Sequence, residues 1–416
     1  MSSLETRRFE RELTFIQPFK KSQYFSALFF GQVFSLLGSS ITNVILPVVV
    51  LQLSNSTAKM GMVMALYMLP FVLLLPFSGV LVDKLNKIYI MLLVDLIRFI
   101  FLTILAILAF SDGLNMMFLF VFMFLLGCMD SFFQPAYSSV RAKVFTPDIR
   151  NAANSITQIS FHGLKIFGPI LGGVLITSVS SAWGFGIDAF TYIISFIFLL
   201  SLRTLEFQTS GVTKELSIKK DFIEGIDVLK QQSWLWITIL AFSFINIFTG
   251  GIIRILIPWL INVYHEFEPV VYGLVLSASG AGAIICGIIF GLRKEWSRRG
   301  PLAYGGVAIC GISLLVTPFA SSVPLLMICM FVNGAGLMLF GLIWETSLQE
   351  LVPEEKFGRV ASLDMLGSFA LLPLGYLLIG WIAEAAGEIQ TLVFSSIIII
   401  VVSAGVMFNK GIRNFN

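Results

Sequence analysis

Apolar runs of about twenty residues recur from one end of the chain to the other. They fall near 23–51, 58–82, 88–110, 115–139, 153–178, 182–203, 234–262, 270–292, 300–321, 323–347, 358–383 and 387–408. At ~1.5 Å of rise per residue, each is long enough to cross roughly 30 Å of hydrocarbon as a helix. Backbone N–H and C=O groups in lipid must be satisfied within the segment itself, which makes helices the only reading of isolated runs of this kind. The pattern therefore predicts an all-α membrane protein with twelve transmembrane helices. Polar connections are short except for 204–233. That linker separates two six-helix bundles, 23–203 and 234–408, with tails at 1–22 and 409–416.

The two bundles carry traces of one ancestral repeat. The stretch NVILPVVVL around Pro47 resembles RILIPWLIN around Pro258, and Gly61 and Gly79 find counterparts at Gly273 and Gly291 in the same order. TPDIRNAANS after the fourth segment matches VPEEKFGRVAS after the tenth. Two parallel six-helix repeats are a transporter architecture, with the substrate site expected between the halves near the midplane.

Charge sets the orientation. Of the 27 Lys and Arg residues, all but four lie in the N-terminal tail, the C-terminal tail and alternate loops. Lys59 is the one basic residue of the opposite loops, and Arg98, Lys165 and Arg254 lie within apolar segments. The positive-inside rule then places both termini in the cytoplasm of a cell-membrane protein. Only 12% of residues are charged, 57% are hydrophobic and the net charge is +3, so nucleic-acid binding has no footing. Cys128, Cys286, Cys310 and Cys329 sit in apolar runs without CxxC spacing, which suggests neither a metal site nor a disulfide framework.

A charge inside the membrane costs several kcal/mol unless paired or wetted, so such residues are the sharpest functional clues. They are Asp95, Arg98, Asp130, Lys165, Asp188, Arg254, Glu345 and Asp364. Asp95 and Arg98 are three residues apart and share a helix face. Arg98 and Asp130 stand at similar depth, roughly 15 Å from the cytoplasmic boundary. The expectation is a buried Asp95–Arg98–Asp130 network, either structural or proton-coupling. Lys165 shares a face with His162 and is placed to meet an anionic substrate or a carboxylate. Asp188 lies in a segment expected to be peripheral and reads as structural, and Asp364 as a local dipole or loop contact.

Between the second and third segments stands GVLVDKLNK, in which Gly79, Asp83, Lys84 and Lys87 resemble the loop motif of the major facilitator superfamily, with Asn86 in place of the usual Gly. GPILGG, with Gly168, Pro169, Gly172 and Gly173, is similar to the signature of that family's exporter branch. FFQPAYSSV, GIDAFTYIISF, SLQELVP and GRVASLDMLGSFALLPLGYLLIG resemble its twelve-helix drug-efflux subgroup, which includes macrolide and siderophore exporters. The resemblance covers nearly the whole chain. It implies the major facilitator fold, a small amphipathic substrate, protons as coupling ion, no cofactor and a sufficient monomer. One position departs: the Arg expected in the fourth helix is Met123.

By the same resemblance, the first, fourth, seventh and tenth helices line a central cavity. Gln32, Asn43, Asn246, Arg254 and Asn333, together with Lys165, are then the substrate-cavity candidates, and Asp130 and Glu345 the leading proton carriers. Gly79 is expected to let the second helix approach a neighbour closely. Asp83 would meet a helix N-terminus beside Lys84. Gly168-Pro169 would bend the fifth helix, and Gly172 would allow tight packing. These are the gating candidates.

No phosphate-binding G-x-x-x-x-G-K-[ST] loop and no H-E-x-x-H pattern occur, which argues against ATP-driven transport by this chain and against an intramembrane hydrolase. Export of drug- or siderophore-like molecules by proton antiport is the leading reading. An importer or lipid translocase on the same scaffold, or a sensor or assembly scaffold that moves nothing, stays open as an alternative.

Overall fold

The computed structural model describes residues 17–205, 227, 229–230, 232–291 and 297–415. Most of the 1–22 tail and of the 204–233 linker therefore lies outside the described residues. Among those described, every regular element is helical, and twelve helices are long and apolar enough to span a membrane. In order they are α1 (Gln23–Ser54), α2 (Thr57–Lys84), α3 (Lys87–Phe110), α4 (Met116–Val144), α5 (Arg150–Ser178) and α6 (Ser181–Leu200). They continue with α7 (Ser233–Gly251), α8 (Pro269–Gly291), α9 (Arg299–Val316) and α10 (Val323–Leu351). The eleventh span is divided into α11 (Glu354–Phe369) and α12 (Leu372–Ala386), and α13 (Glu388–Met407) is the last.

Local chemistry explains several boundaries. Asn86 and Asn115 cap α3 and α4, each side-chain oxygen accepting two backbone N–H groups of the first turn. Pro373 enters α12 near its first turn, where a missing N–H costs nothing, and the eleventh span breaks just before it. Beyond α7 the helix runs on as two π-helical turns, Ile252–Leu256 and Leu260–Tyr264, on either side of Pro258. Proline removes a backbone donor, and the wider turns re-seat the neighbouring bonds. By contrast α5 passes through Pro169 as a single helix.

The chain forms two compact units. The first comprises Met1–Ile45 and Leu73–Thr209, and the second Leu46–Val72 and Ser210–Asn416. In the first, α3 packs on α4 and α6, and α5 on α6. Its core includes Phe25, Leu28, Met91, Phe133, Val140 and Phe145. α1 lies close against both α5 and α6. A Cβ at Gly172 would touch the Ile41 backbone, one at Gly168 would overlap Ser40, and one at Gly38 would overlap Asp188 and Thr191.

In the second unit α10 packs on α8 and α9, α13 on α7 and α9, and α7 on α11 and α12. Its core includes Trp234, Leu235, Tyr304 and Leu348, with Trp234 stacked on Phe415 at 4.6 Å between centroids. The start of α2 also belongs here. Gly61 packs against the backbone of Tyr376 and Gly380, and the Glu384 carboxylate accepts hydrogen bonds from Ser56 and from the Ala58 N–H at the head of α2. Phe77, Phe319 and Phe408 are among many large apolar side chains left exposed, the surface expected of helices that face lipid.

Candidate functional site

The sequence-predicted charge cluster is present in the first unit. Arg98 on α3 is 6% exposed; its Nη1 lies 3.5 Å from Asp95 Oδ1, and its Nη2 donates to Asp130 Oδ1 on α4. Asp95 is fully buried at 0%, whereas Asp130 is 18% exposed. One guanidinium thus holds two carboxylates in different surroundings, one sealed and one partly exposed. Its planar fork of donors suits this double role.

Hydroxyls and rings complete the setting. Ser195 on α6 donates to Asp95 Oδ2 at 2.6 Å. The guanidinium carbon of Arg98 stands 4.6 Å from the centre of the Phe133 ring and 5.2 Å from that of Tyr192. These faces attract a desolvated cation. The Tyr192 hydroxyl shares a 2.8 Å hydrogen bond with Ser39 on α1. The cluster therefore ties α1, α3, α4 and α6 together. Sequence reasoning found its three charges and missed Ser195, Tyr192 and Ser39, because hydroxyl partners on other helices leave no spacing signal.

The remaining candidates belong to both units. Gln32 is half-buried and borders a narrow crevice between α1, α4 and α5, walled by Phe29, Tyr137, Phe145 and Phe161. Asn43, Lys165, Arg254 and Glu345 are exposed. The Lys165 ammonium sits 4.4 Å from the Phe161 ring centre. In the second unit, Asn246 donates to the Ser368 carbonyl at 3.0 Å, fastening α7 to the end of α11. Asp364, read as a local contact, accepts from the Trp344 indole N–H at 3.1 Å and from Ser368 at 3.3 Å.

The gating candidates differ from one another. Gly168, Pro169 and Gly172 are buried, the two glycines against α1 as described. Gly79 was expected to meet a neighbour, yet a Cβ there would find open space; the close approach on α2 occurs at Gly61 instead. Lys84 is exposed. The Asp83 side chain lies outside the described residues. In the following α4–α5 loop, the Thr146 hydroxyl donates to exposed Asp148 at 2.6 Å and holds its carboxyl below the usual range, with Lys21 3.7 Å away.

Asn333 is placed unlike the other cavity candidates. Its side chain is 0% exposed, and neither amide atom has a hydrogen-bond partner among the described residues. An unsatisfied buried polar group costs about 1–3 kcal/mol. Asn333→Leu is therefore expected to raise stability by about 1–3 kcal/mol in thermal unfolding of the detergent-solubilised protein. A loss of stability would show that the amide has a partner after all. Greater stability with diminished transport would mark it as a group kept for function.

Twelve spanning helices, two compact units and a buried charge cluster at mid-span define a polytopic transporter fold. The family model of the Major Facilitator Superfamily matches residues 28–370 and 243–411. The chain belongs to the Major Facilitator Superfamily. Among its relatives, the uncharacterized MFS-type transporter YfiS of Bacillus subtilis (strain 168) is 28% identical over 81% of this chain and 82% of its own length. Macrolide efflux protein A of Streptococcus pyogenes is 23% identical over 91% of this chain and 94% of its own. The crystal structure of a point mutant of the nucleoside transporter NupG superposes with a TM-score of 0.74 over 93% of this chain and 100% of that one, at 14% identity, which attests the shared fold.

Proposed function

We propose that this transporter is a secondary active exporter of amphipathic small molecules, of the drug or siderophore class, driven by proton entry. The observation that carries the reading is the Arg98–Asp130 pair: a partly exposed carboxylate in the middle of a span, held by a sealed guanidinium. Protonating Asp130 weakens that hold, and ionisation restores it, so proton binding is linked to the packing of α3 against α4. The efflux activity in the name of the S. pyogenes relative supports the direction. A proton entering with the membrane potential releases about 2.3 kcal/mol per 100 mV, enough to sustain a gradient of tens-fold.

In this reading the protein works in the cell membrane as a monomer, with both termini cytoplasmic and the two six-helix halves alternating its access. Glu345 is the second proton carrier. Gln32, Asn43, Lys165, Asn246 and Arg254 meet the substrate, and the Gly168–Gly172 stretch accommodates movement of α5 along α1. Expressing cells should accumulate less of a radiolabelled macrolide, or of one member of a panel of amphipathic drugs and iron chelators, and a protonophore should abolish the difference. Asp130→Asn, which keeps the shape and removes the titration, is expected to reduce uphill efflux at least about tenfold, a loss typical of a removed proton-transfer group. Export that persists without any ion gradient would sink the antiport reading. Gradient-driven uptake in right-side-out vesicles would turn it into an importer.

A further inference from the structure

The first unit contains another buried carboxylate that the Arg98 pair does not involve. Asp188 on α6 is 2% exposed, and it occupies the space that Gly38 of α1 leaves by having no side chain. Its partners are hydroxyls. The Thr42 hydroxyl on α1 is hydrogen-bonded to Oδ2, while Thr191 lies 3.4 Å from Oδ1 and gives its own proton to the Asp188 backbone carbonyl at 2.7 Å. No Lys, Arg or His among the described residues forms an ion pair with it.

The charged and titratable groups around it are few. α3 contributes Arg98 and α6 itself contributes Tyr192 one turn away, and Asp95 and Asp130 enter as the partners that the guanidinium already has. Arg98 is already engaged by Asp95 and Asp130. Three carboxylates against one guanidinium would leave two uncompensated negative charges, with Asp95 and Asp188 sealed and Asp130 partly exposed, a burden of several kcal/mol for a sealed charge. A proton on one of the three relieves that. The carboxylate that forms no ion pair among the described residues is Asp188, and the Thr42 hydroxyl can rotate to accept from it as readily as to donate.

We infer that Asp188 is a further proton-binding site beyond Asp130 and Glu345, protonated in this conformation and deprotonated when α1 shifts along α6 during transport. The inference rests on the proton-antiport reading for its role in the cycle, but not for the presence of the proton. The proton held there would sit between α1 and α6, and its loss would free a carboxylate to compete with Asp95 and Asp130 for Arg98. The sites would then be coupled, with one guanidinium serving whichever carboxylates are ionised.

Infrared difference spectra of the reconstituted protein labelled with carboxyl-13C aspartate test this directly. The wild type should show the carbonyl stretch of a protonated, buried aspartic acid, shifted by the label, and Asp188→Asn should lack it. Absence of the band in the wild type, or its survival in the variant, would overturn the inference. Because wild-type spectra alone can refute it, a variant that fails to fold does not rescue it.

Proteoliposomes supply the second readout, using the panel compound that the wild type extrudes fastest. Asp188→Asn should lose stimulation by an imposed pH gradient, and Asp188→Glu should regain part of it. Full pH-gradient stimulation in Asp188→Asn would remove the residue from the cycle while leaving the antiport reading intact. A wild type that ignores the gradient would instead refute antiport, and with it the coupling role, while the infrared band still decides whether Asp188 carries a proton.

Discussion

Arg98→Ala is expected to cost about 3–5 kcal/mol of folding stability, the range for breaking a buried ion pair by removing one partner. The sealed side makes the cost large. Among the described residues, Asp95 at 0% exposure would keep Ser195 alone as a hydrogen-bond donor, and α3, α4 and α6 would lose the group that joins them. Asp130, at 18% exposure, would suffer less. Arg98→Lys should fall between, since a single ammonium cannot present two separated donors to Asp95 and Asp130 at once.

The decisive comparison is the double variant Arg98→Ala, Asp95→Asn. Removing the orphaned charge should recover most of the loss, because the penalty lies in the uncompensated carboxylate and not in a missing attraction. Thermal or denaturant unfolding in detergent, followed by helical circular dichroism, measures all four corners of this cycle. If Arg98→Ala alone cost under about 1 kcal/mol, the range of exposed pairs, the cluster would not be sealed. If Asp95→Asn failed to restore stability in that background, the damage would come from lost packing on Phe133 and Tyr192.

The same cluster shows where sequence stops being informative. Asp95 and Arg98 declare their shared face by a three-residue spacing, and Asp130 can be matched to them in depth from the rise of a helix. The helices themselves are legible because lipid permits no other solution for runs of that length. Asp188 is different. It read as structural in a peripheral helix, and only the contact of α6 with Gly38 and Thr42 of α1 shows it sealed without a cation. Nothing in the residues around position 188 announces a glycine some 150 residues earlier. The same holds for Gly79 and Gly61. Both look like packing glycines on one helix, yet only Gly61 meets a neighbouring backbone. Apolar surface is no guide either, since burial in protein and burial in lipid select the same side chains.

Glycine contacts also give the second large expected effect, at the crossing of α8 and α10. A Cβ on Gly282 would overlap the Phe331 carbonyl oxygen, and a Cβ on Gly334 would overlap the Ser279 carbonyl oxygen. Both obstacles are backbone, which no rotamer change can move aside. In an unconstrained helix Gly→Ala is favourable by roughly 1 kcal/mol. Here the overpacking term, about 1–3 kcal/mol or more, should win, and Gly282→Ala and Gly334→Ala should each be destabilising. Gly341→Ala is the internal control: it lies in the same helix α10 with nothing within 4 Å of the added carbon, and should gain stability. The two damaging changes lie in one crossing, so whichever comes first already forces the helices apart. Their combination should therefore cost clearly less than the sum of the singles. Strict additivity would mean that each glycine is accommodated locally. Stabilisation by all three alanines would show that α8 and α10 stand farther apart than their backbones do in this structure.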